Sequence, residues 1–412
     1  MNVLHVNNID LIGRRFNGYD LIEDLEELGH KAHQCVLTKQ SKNPKVIELL
    51  SCENDQLYHK DLQSFEKCKS WQNLIYPWAR LLVNLPEFKQ ADIVHYHLIH
   101  NNVLSLLDLP WLFSLKPSVW TLHDPWFFTG HCVHPMQCTK WLSGCTACPD
   151  LHRSFPVKED SSSLLWEVKR KTIQDCPLFF PLIASEWMKE LYEKSPIFQH
   201  APDPSIIPFG VRDSEFHSDK KAAREALGIP RNNFTIFFRS NPDRYKGLDT
   251  IITALRGLDL PNVTIITSDK RGLLGSLPHL TVKEFGWIDD SAKLANLYAA
   301  CDVFVMPSEA EAFGLMAIEA MMSARLVICC EDTALPKVIG APDKGIAIPS
   351  SDSTSLRSVL KHLSNSPDEI KIRAKESREL ALARYSHSQY LNQLISHYSQ
   401  AVAKFSRINN IR

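Results

Sequence analysis

The chain has 412 residues, 44% hydrophobic and 23% charged, with 46 basic against 47 acidic side chains. That length is too great for one ordinary hydrophobic core and suits two domains, and the composition excludes a mostly disordered chain. A formal net charge of −1, with no block of like charges, removes any electrostatic reason to expect a nucleic-acid partner.

Residues 3–6 read as a short apolar strand, after which Gly13 and Gly18 bracket a loop. Leu21, Leu25 and Leu28 recur at helical spacing, and Gly29 stands where a helix C-cap belongs. Strand-like runs follow at 35–37, 93–96, 119–122 and 179–183, with helical stretches between them. A proline-rich stretch, Pro202, Pro204 and Pro208 with Gly210, ends this half. The pattern restarts with strands at 234–238, 263–266, 302–306 and 326–329, a helix at 247–258, a helical run at 313–322 and a helical final fifty residues. Strands alternating with helices predict α/β architecture: two doubly wound, Rossmann-like domains facing each other across a cleft. The expected boundaries are 1–205 for the first domain and 206–385 for the second. Residues 386–412 are expected to form a terminal helix that packs back on the first.

Two phosphate-loop readings fail. Gly13 to Gly18 has the glycine spacing of a Walker A loop, but Tyr19 and Asp20 stand where Lys and Ser/Thr are required, and no G-x-G-x-x-G follows the first strand. No uninterrupted apolar run reaches the ~18 residues of a membrane helix. Residues 1–6 lack the basic and apolar regions of a secretion signal, so a cytoplasmic location is expected.

Eleven cysteines in a reducing compartment are read as metal ligands before disulfides. Cys132, Cys138, Cys145 and Cys148 cluster, with His131 and His134 interleaved. Cys145 and Cys148 have C-x2-C spacing, and two upstream thiols complete a tetrahedral structural zinc site; buried thiols packing a loop are the alternative. Trp71, Leu74, Ile75, Trp78, Leu81 and Leu82, with Lys67, Lys69 and Arg80, give an amphipathic stretch interrupted by Pro77. It is read as a buried helix of the first domain. The alternative is a peripheral contact with the inner face of a membrane that collects a lipid-linked acceptor.

The strongest signal lies at 307–321, where a strand runs into a loop with Glu311 and Gly314 and then into a helix carrying Glu319. A helix N-terminus presents free N–H groups to an anion, and glycine lets a ligand approach the backbone. Acidic residues near a helix start explain Glu309 and Glu311 by themselves, whereas an unpaired Glu319 inside an apolar helix would be costly.

This segment resembles the E-x7-E motif of retaining glycosyltransferases, most closely glycosyltransferase family 4 with its GT-B fold. Residues 207–211 resemble that family's interdomain linker, 246–249 its basic phosphate site, 285–288 its base-binding loop and 334–336 a late loop. The resemblance implies transfer of a hexose from a UDP- or GDP-sugar to a glycan or lipid-linked glycan, with retention. A phosphorylase, a sugar-nucleotide epimerase or a catalytically silent partner subunit are the rival readings. Carried over, Lys246 would face the diphosphate, Arg239 (rather than Arg244) would assist it, and Trp287 and Ile288 would lie in the base-binding loop. Glu311 would contact the donor sugar and Glu319 the ribose, while the backbone of Phe313, Gly314 and Leu315 cradles sugar and phosphate. His123 would hydrogen-bond the transferred sugar, Gly18 would admit the phosphate end, and Asp124 would orient locally. His95 and His97 are read as structural, with one of them on the acceptor side as the alternative. No catalytic metal is expected, since no D-x-D motif stands in a suitable loop and Lys246 supplies countercharge. Related transferases of exopolysaccharide assembly carry a similar cysteine-rich insertion, which points to surface polysaccharide.

Overall fold

A computed structural model describes residues 1–409 apart from 154, 177 and 218. The chain divides into two compact units: residues 1–207 together with 391–412, and residues 208–390.

In the first unit β1 (Asn2–Ile9), β2 (Lys31–Thr38), β3 (Val46–Glu48), β4 (Ile93–Tyr96), β5 (Ser118–Thr121), β6 (Phe179–Ile183) and β7 (Ser205–Ile206) form one sheet. Their spatial order is β3-β2-β1-β4-β5-β6-β7, and every pairing is parallel. Strand order reverses between β1 and β4, because the chain winds outward through β2 and β3 before returning to β4. Open parallel sheets bind ligands outside the carboxyl ends of their strands at such a reversal. Beside it stand His5 in β1, His95 in β4 and His97 just after β4.

The second unit repeats the plan with β8 (Phe234–Ser240), β9 (Val263–Asp269), β10 (Thr281–Glu284), β11 (Val303–Met306), β12 (Leu326–Cys330) and β13 (Ile346–Ile348). Their order is β10-β9-β8-β11-β12-β13, again all parallel. Its reversal lies between β8 and β11. All the residues of β9, β11 and β12 are buried, as a sheet covered on both faces requires. One core beneath the sheet gathers Ile236, Ile265, Val303 and Ile328 with Ile251, Leu255 and Leu360 from helices Leu248–Arg256 and Ser353–Ser364. The hydrophobic pattern of residues 247–258 therefore acts as predicted, with the helix starting one residue later.

Four strands were not predicted: β3, β7, β10 and β13. All four stand at a sheet edge, and each has only two to four residues. Short edge strands, half-exposed, carry no continuous apolar run to signal them. The stretch 70–85 also differs from a single helix. Ser70 and Asn73 take left-handed backbone conformations, and helix resumes only at Ala79–Asn84. Trp78 and Leu82 are buried, while Trp71 and Leu81 are 37% and 36% exposed. Its apolar side chains thus divide between core and surface.

No helix among the described residues is long and apolar enough to cross a membrane.

Candidate active site

In the second unit the loops after β8 and β11 meet. After β8 the chain makes a short 3-10 turn, Arg244–Lys246, in which the Asp243 side chain accepts the Tyr245 N–H at 3.0 Å. Gly247 follows at φ +68°, and a Cβ there would stand 2.0 Å from the Pro307 carbonyl oxygen. Glycine is needed at this position on both counts. That close approach, and the Glu309 N–H donating to the Tyr245 carbonyl at 2.8 Å, fasten the two loops together. The result is that Lys246 Nζ lies 3.3 Å from Glu311 Oε2. Both side chains keep some exposure, 36% and 20%, so the pair is within reach of a ligand.

Glu311 is held from the other side by its own carbonyl, which accepts the Ala334 N–H at 3.0 Å. Gly314, at φ +98°, precedes the helix Leu315–Met322 and has no side chain to cap its N–H groups. A Cβ on Gly314 would meet Leu335 at 2.3 Å. Phe313 is buried against Phe209 and Tyr385, so only its backbone is available to a ligand. An ammonium, a carboxylate and an uncapped helix start therefore converge at the strand-order reversal. Chemically this set can hold an anion and hydrogen-bond a polyol.

Two other predicted residues have protein partners that sequence reasoning missed. Arg239 Nε donates to Asp269 Oδ2 at 2.7 Å, and its guanidinium lies 5.5 Å from the centre of the Trp287 ring. The register Ser240↔Asp269 sets that contact, and nothing in the local sequence announces it. Trp287 is itself 63% exposed and donates to Asp289; Ile288 is half-buried. Glu319 is buried, and its carboxylate accepts the Tyr298 hydroxyl at 2.8 Å. The cost of an unpaired carboxylate in this apolar helix is met inside the protein by Tyr298. The helix Ser291–Ala300 carries Tyr298, and only packing brings it to Glu319.

In the first unit the reversal is built of imidazoles. His5 Nδ1 lies 3.1 Å from His97 Nε2, and His97 Nδ1 lies 3.2 Å from His123 Nε2. His95 bonds Thr121 Oγ1 at 2.7 Å and the Tyr398 hydroxyl at 2.6 Å. Burial drives His5 and His123 down to a pKa of about 3 and holds His95 and His97 well below the ordinary histidine value. A neutral imidazole carries one proton, so each ring–ring contact has one donor and one acceptor. Asp124 accepts the Trp126 N–H at 2.9 Å and pairs with His100 at 3.3 Å. Burial works against its charge, but His100 and these hydrogen bonds hold its carboxyl below the usual range. Gly18, at φ +96°, packs on His5: a Cβ would meet that ring at 2.7 Å. Its need for glycine is thus explained inside the first unit by the histidine cluster.

With two parallel-sheet α/β domains and this site, the protein has the GT-B class of fold. Residues 219–380, within the second unit, match the family model of the glycosyl transferases group 1. It is 25% identical over 331 residues, 76% of this chain and 72% of the relative, to D-inositol 3-phosphate glycosyltransferase from Saccharomonospora viridis. Other curated relatives are matched over shorter spans, 22% of the length of one and 56% of another. Among solved structures, Anabaena HepE in complex with UDP superposes with a TM-score of 0.65 at 15% identity, covering 97% of this chain and 100% of that one. WaaG, a glycosyltransferase involved in lipopolysaccharide biosynthesis, gives 0.61 at 16% identity, covering 95% and 98%.

Proposed function

We propose that this chain is a group 1 glycosyl transferase that moves a hexose, with retention of configuration, from a nucleotide diphosphate sugar to a glycan or lipid-linked glycan of surface polysaccharide. The observation that carries the reading is the Lys246–Glu311 pair at 3.3 Å beside the uncapped helix start at Gly314. Lys246 meets the diphosphate as a point charge and compensates the charge that grows on the leaving group. The helix N-terminus adds backbone N–H groups to the same task. Glu311 turns from Lys246 to the donor sugar when phosphate replaces it as the ammonium's partner. Arg239 and Asp269 form the wall towards the base, with Trp287 and Ile288. Glu319, anchored by Tyr298, takes the ribose hydroxyls with its remaining acceptor capacity. His123 hydrogen-bonds the transferred sugar, and an imidazole whose pKa burial holds down to about 3 is too weakly basic for general-base work.

What the site supplies supports retention. An inverting transferase needs a base opposite the donor, and Asp124, the nearest candidate in sequence to His123, is already engaged with His100 and the Trp126 N–H. In the front-face route the leaving phosphate takes the acceptor's proton. Countercharge comes from Lys246, without a catalytic metal. The donor class is supported by the UDP complex of HepE, and polysaccharide assembly by the likeness to WaaG. We place the enzyme in the cytoplasm, at the inner membrane face when it meets a lipid-linked acceptor. Exposed Leu57, Tyr58, Phe65 and Trp71 provide the contact.

Purified protein, a panel of UDP- and GDP-hexoses and glycan acceptors test the reading. Sugar-nucleotide turnover is expected only with acceptor present, and proton NMR of the product is expected to show an α-linkage from an α-linked donor. Turnover to a free sugar phosphate or an epimerised nucleotide sugar would overturn transfer, and a β-linkage would overturn retention.

A further inference from the structure

The loop after β5 carries four cysteines that the transfer reading leaves without a task. Cys132, Cys138, Cys145 and Cys148 line one pocket of the first unit together with Gly130 and His131, and all four are free thiols. The Gly130 N–H donates to Cys145 Sγ at 3.1 Å, a bond to which a thiolate is the better acceptor. His131 Nδ1 donates to the Phe155 carbonyl at 3.2 Å and sets its Nε2 3.3 Å from Cys148 Sγ.

Beside this cluster lies a cation that needs an anion. Lys169 is fully buried in the helix Ser162–Gln174. Its ammonium donates to the carbonyls of Trp126, Thr129 and Gly130 at 2.7, 2.8 and 3.2 Å and stands 3.6 Å from the Trp126 ring centre. Among the described residues no carboxylate pairs with it. A buried, uncompensated charge costs several kcal/mol, and thiolates in this pocket would remove that cost. Thiolates packed together repel one another and need a cation in turn.

We propose that the pocket is a structural zinc site ligated by Cys132, Cys138, Cys145 and Cys148, with Lys169 as its fixed countercharge. Zinc replaces the four S–H protons, which pass to solvent. Four thiolates on a dication leave a net charge of −2, part of which Lys169 offsets. The closed four-sulfur shell has no open position for substrate, so the ion pins the loop that follows His123 and takes no part in transfer. Among the described residues the tightest set of ligand atoms is His5, His95 and His97, within 4.8 Å of one another. His95 and His97 spend both ring nitrogens on Tyr398, Thr121, His5 and His123; His5 Nε2 is buried with no hydrogen-bond partner, but three neutral ligands bring no charge to offset a buried dication. The four sulfurs do not form such a set, and ligation would have to draw them together.

The test reads metal content and needs no transfer activity. Wild-type protein purified without added metal or chelator is expected to hold about one zinc per chain, released as a mercurial titrates four thiols. Cobalt in its place is expected to give sulfur-to-cobalt charge transfer and the intense ligand-field bands of a tetrahedral four-thiolate site. Cys138→Ser and Cys145→Ser are each expected to lose the metal, while His131→Gln and Cys35→Ser keep it. Lys169→Met is expected to surrender zinc to a chelator about tenfold faster, a loss of roughly 1.4 kcal/mol. Wild-type zinc below about a tenth of an equivalent, or disulfides among the four cysteines, would overturn the site. A cobalt spectrum with three sulfurs, with zinc lost in His131→Gln and kept in Cys138→Ser, would overturn the four-sulfur assignment.

Discussion

Lys246 and Glu311 share one contact but are asked for different work, and substitution separates the two. On the proposed reading, Lys246→Ala removes the diphosphate's countercharge in both ground and transition states. It is expected to weaken nucleotide affinity at least tenfold and to lower kcat as well. Glu311→Gln keeps shape and hydrogen bonding but removes charge, so it is expected to lower kcat by about 10²-fold or more with little change in nucleotide affinity. Calorimetry with UDP and GDP beside steady-state rates reads both; equal losses of affinity would show that Glu311 serves only to hold Lys246. The histidine cluster makes a separate prediction about pH. His5 has a folded pKa of about 3 against roughly 6.5 when unfolded. The unfolded chain therefore binds the proton first, and this stability is fully present above about pH 6.5 and lost as pH falls toward 3. Between pH 6.5 and 5 the loss from His5 alone is roughly 2 kcal/mol. Urea unfolding of the first unit is expected to show a lower midpoint at pH 5 than at pH 7, and His5→Gln to flatten the difference. An unchanged midpoint in the wild type would mean that the imidazoles are not held neutral.

Among the elements, the loop between β8 and the helix Leu248–Arg256 is the one whose geometry the site depends on most. Gly247 joins a left-handed φ to a 2.0 Å approach on Pro307, so Gly247→Ala meets backbone, which cannot rotate away. The variant is expected to lose about 1–3 kcal/mol of stability and to part Lys246 from Glu311. Nucleotide affinity should then fall as it does in Lys246→Ala. Thermal unfolding with and without UDP measures both effects, and full affinity in a destabilised protein would separate the fold of this loop from the site. Helix and strand positions here were legible because buried parallel strands are apolar throughout and the helix has one apolar face. The pairings Arg239–Asp269 and Glu319–Tyr298 were not, because each joins elements whose proximity depends on strand register or helix packing.

The final helix, His387–Asn409, joins the two units of the chain: residues to 390 group with the second and residues from 391 with the first. Within the first unit Tyr398 is fully buried and bonds His95, while Leu394 and Ala401 are buried beside it. A chain ending at residue 390 exposes that surface and leaves His95 without its Tyr398 partner. Limited proteolysis of such a truncation is expected to degrade residues 1–207 and spare a fragment near 208–390. Equal resistance of both would show that the first unit folds without its last segment.

The sequence by itself determined the fold class and the residue types of the site, because periodicity, chain order and scarce glycines are local properties that a short window contains. It carried Lys246, Glu311 and Gly314 as members of one motif-bearing unit, and the four cysteines as a cluster. Tertiary structure alone decided which groups touch. It placed Lys246 on Glu311, paired Glu319 with Tyr298, made Gly18 the neighbour of His5 and buried Lys169 beside the cysteine loop. Each of those contacts joins residues from different elements, and its energy exists only once sheet register and helix packing have brought them within a few ångströms.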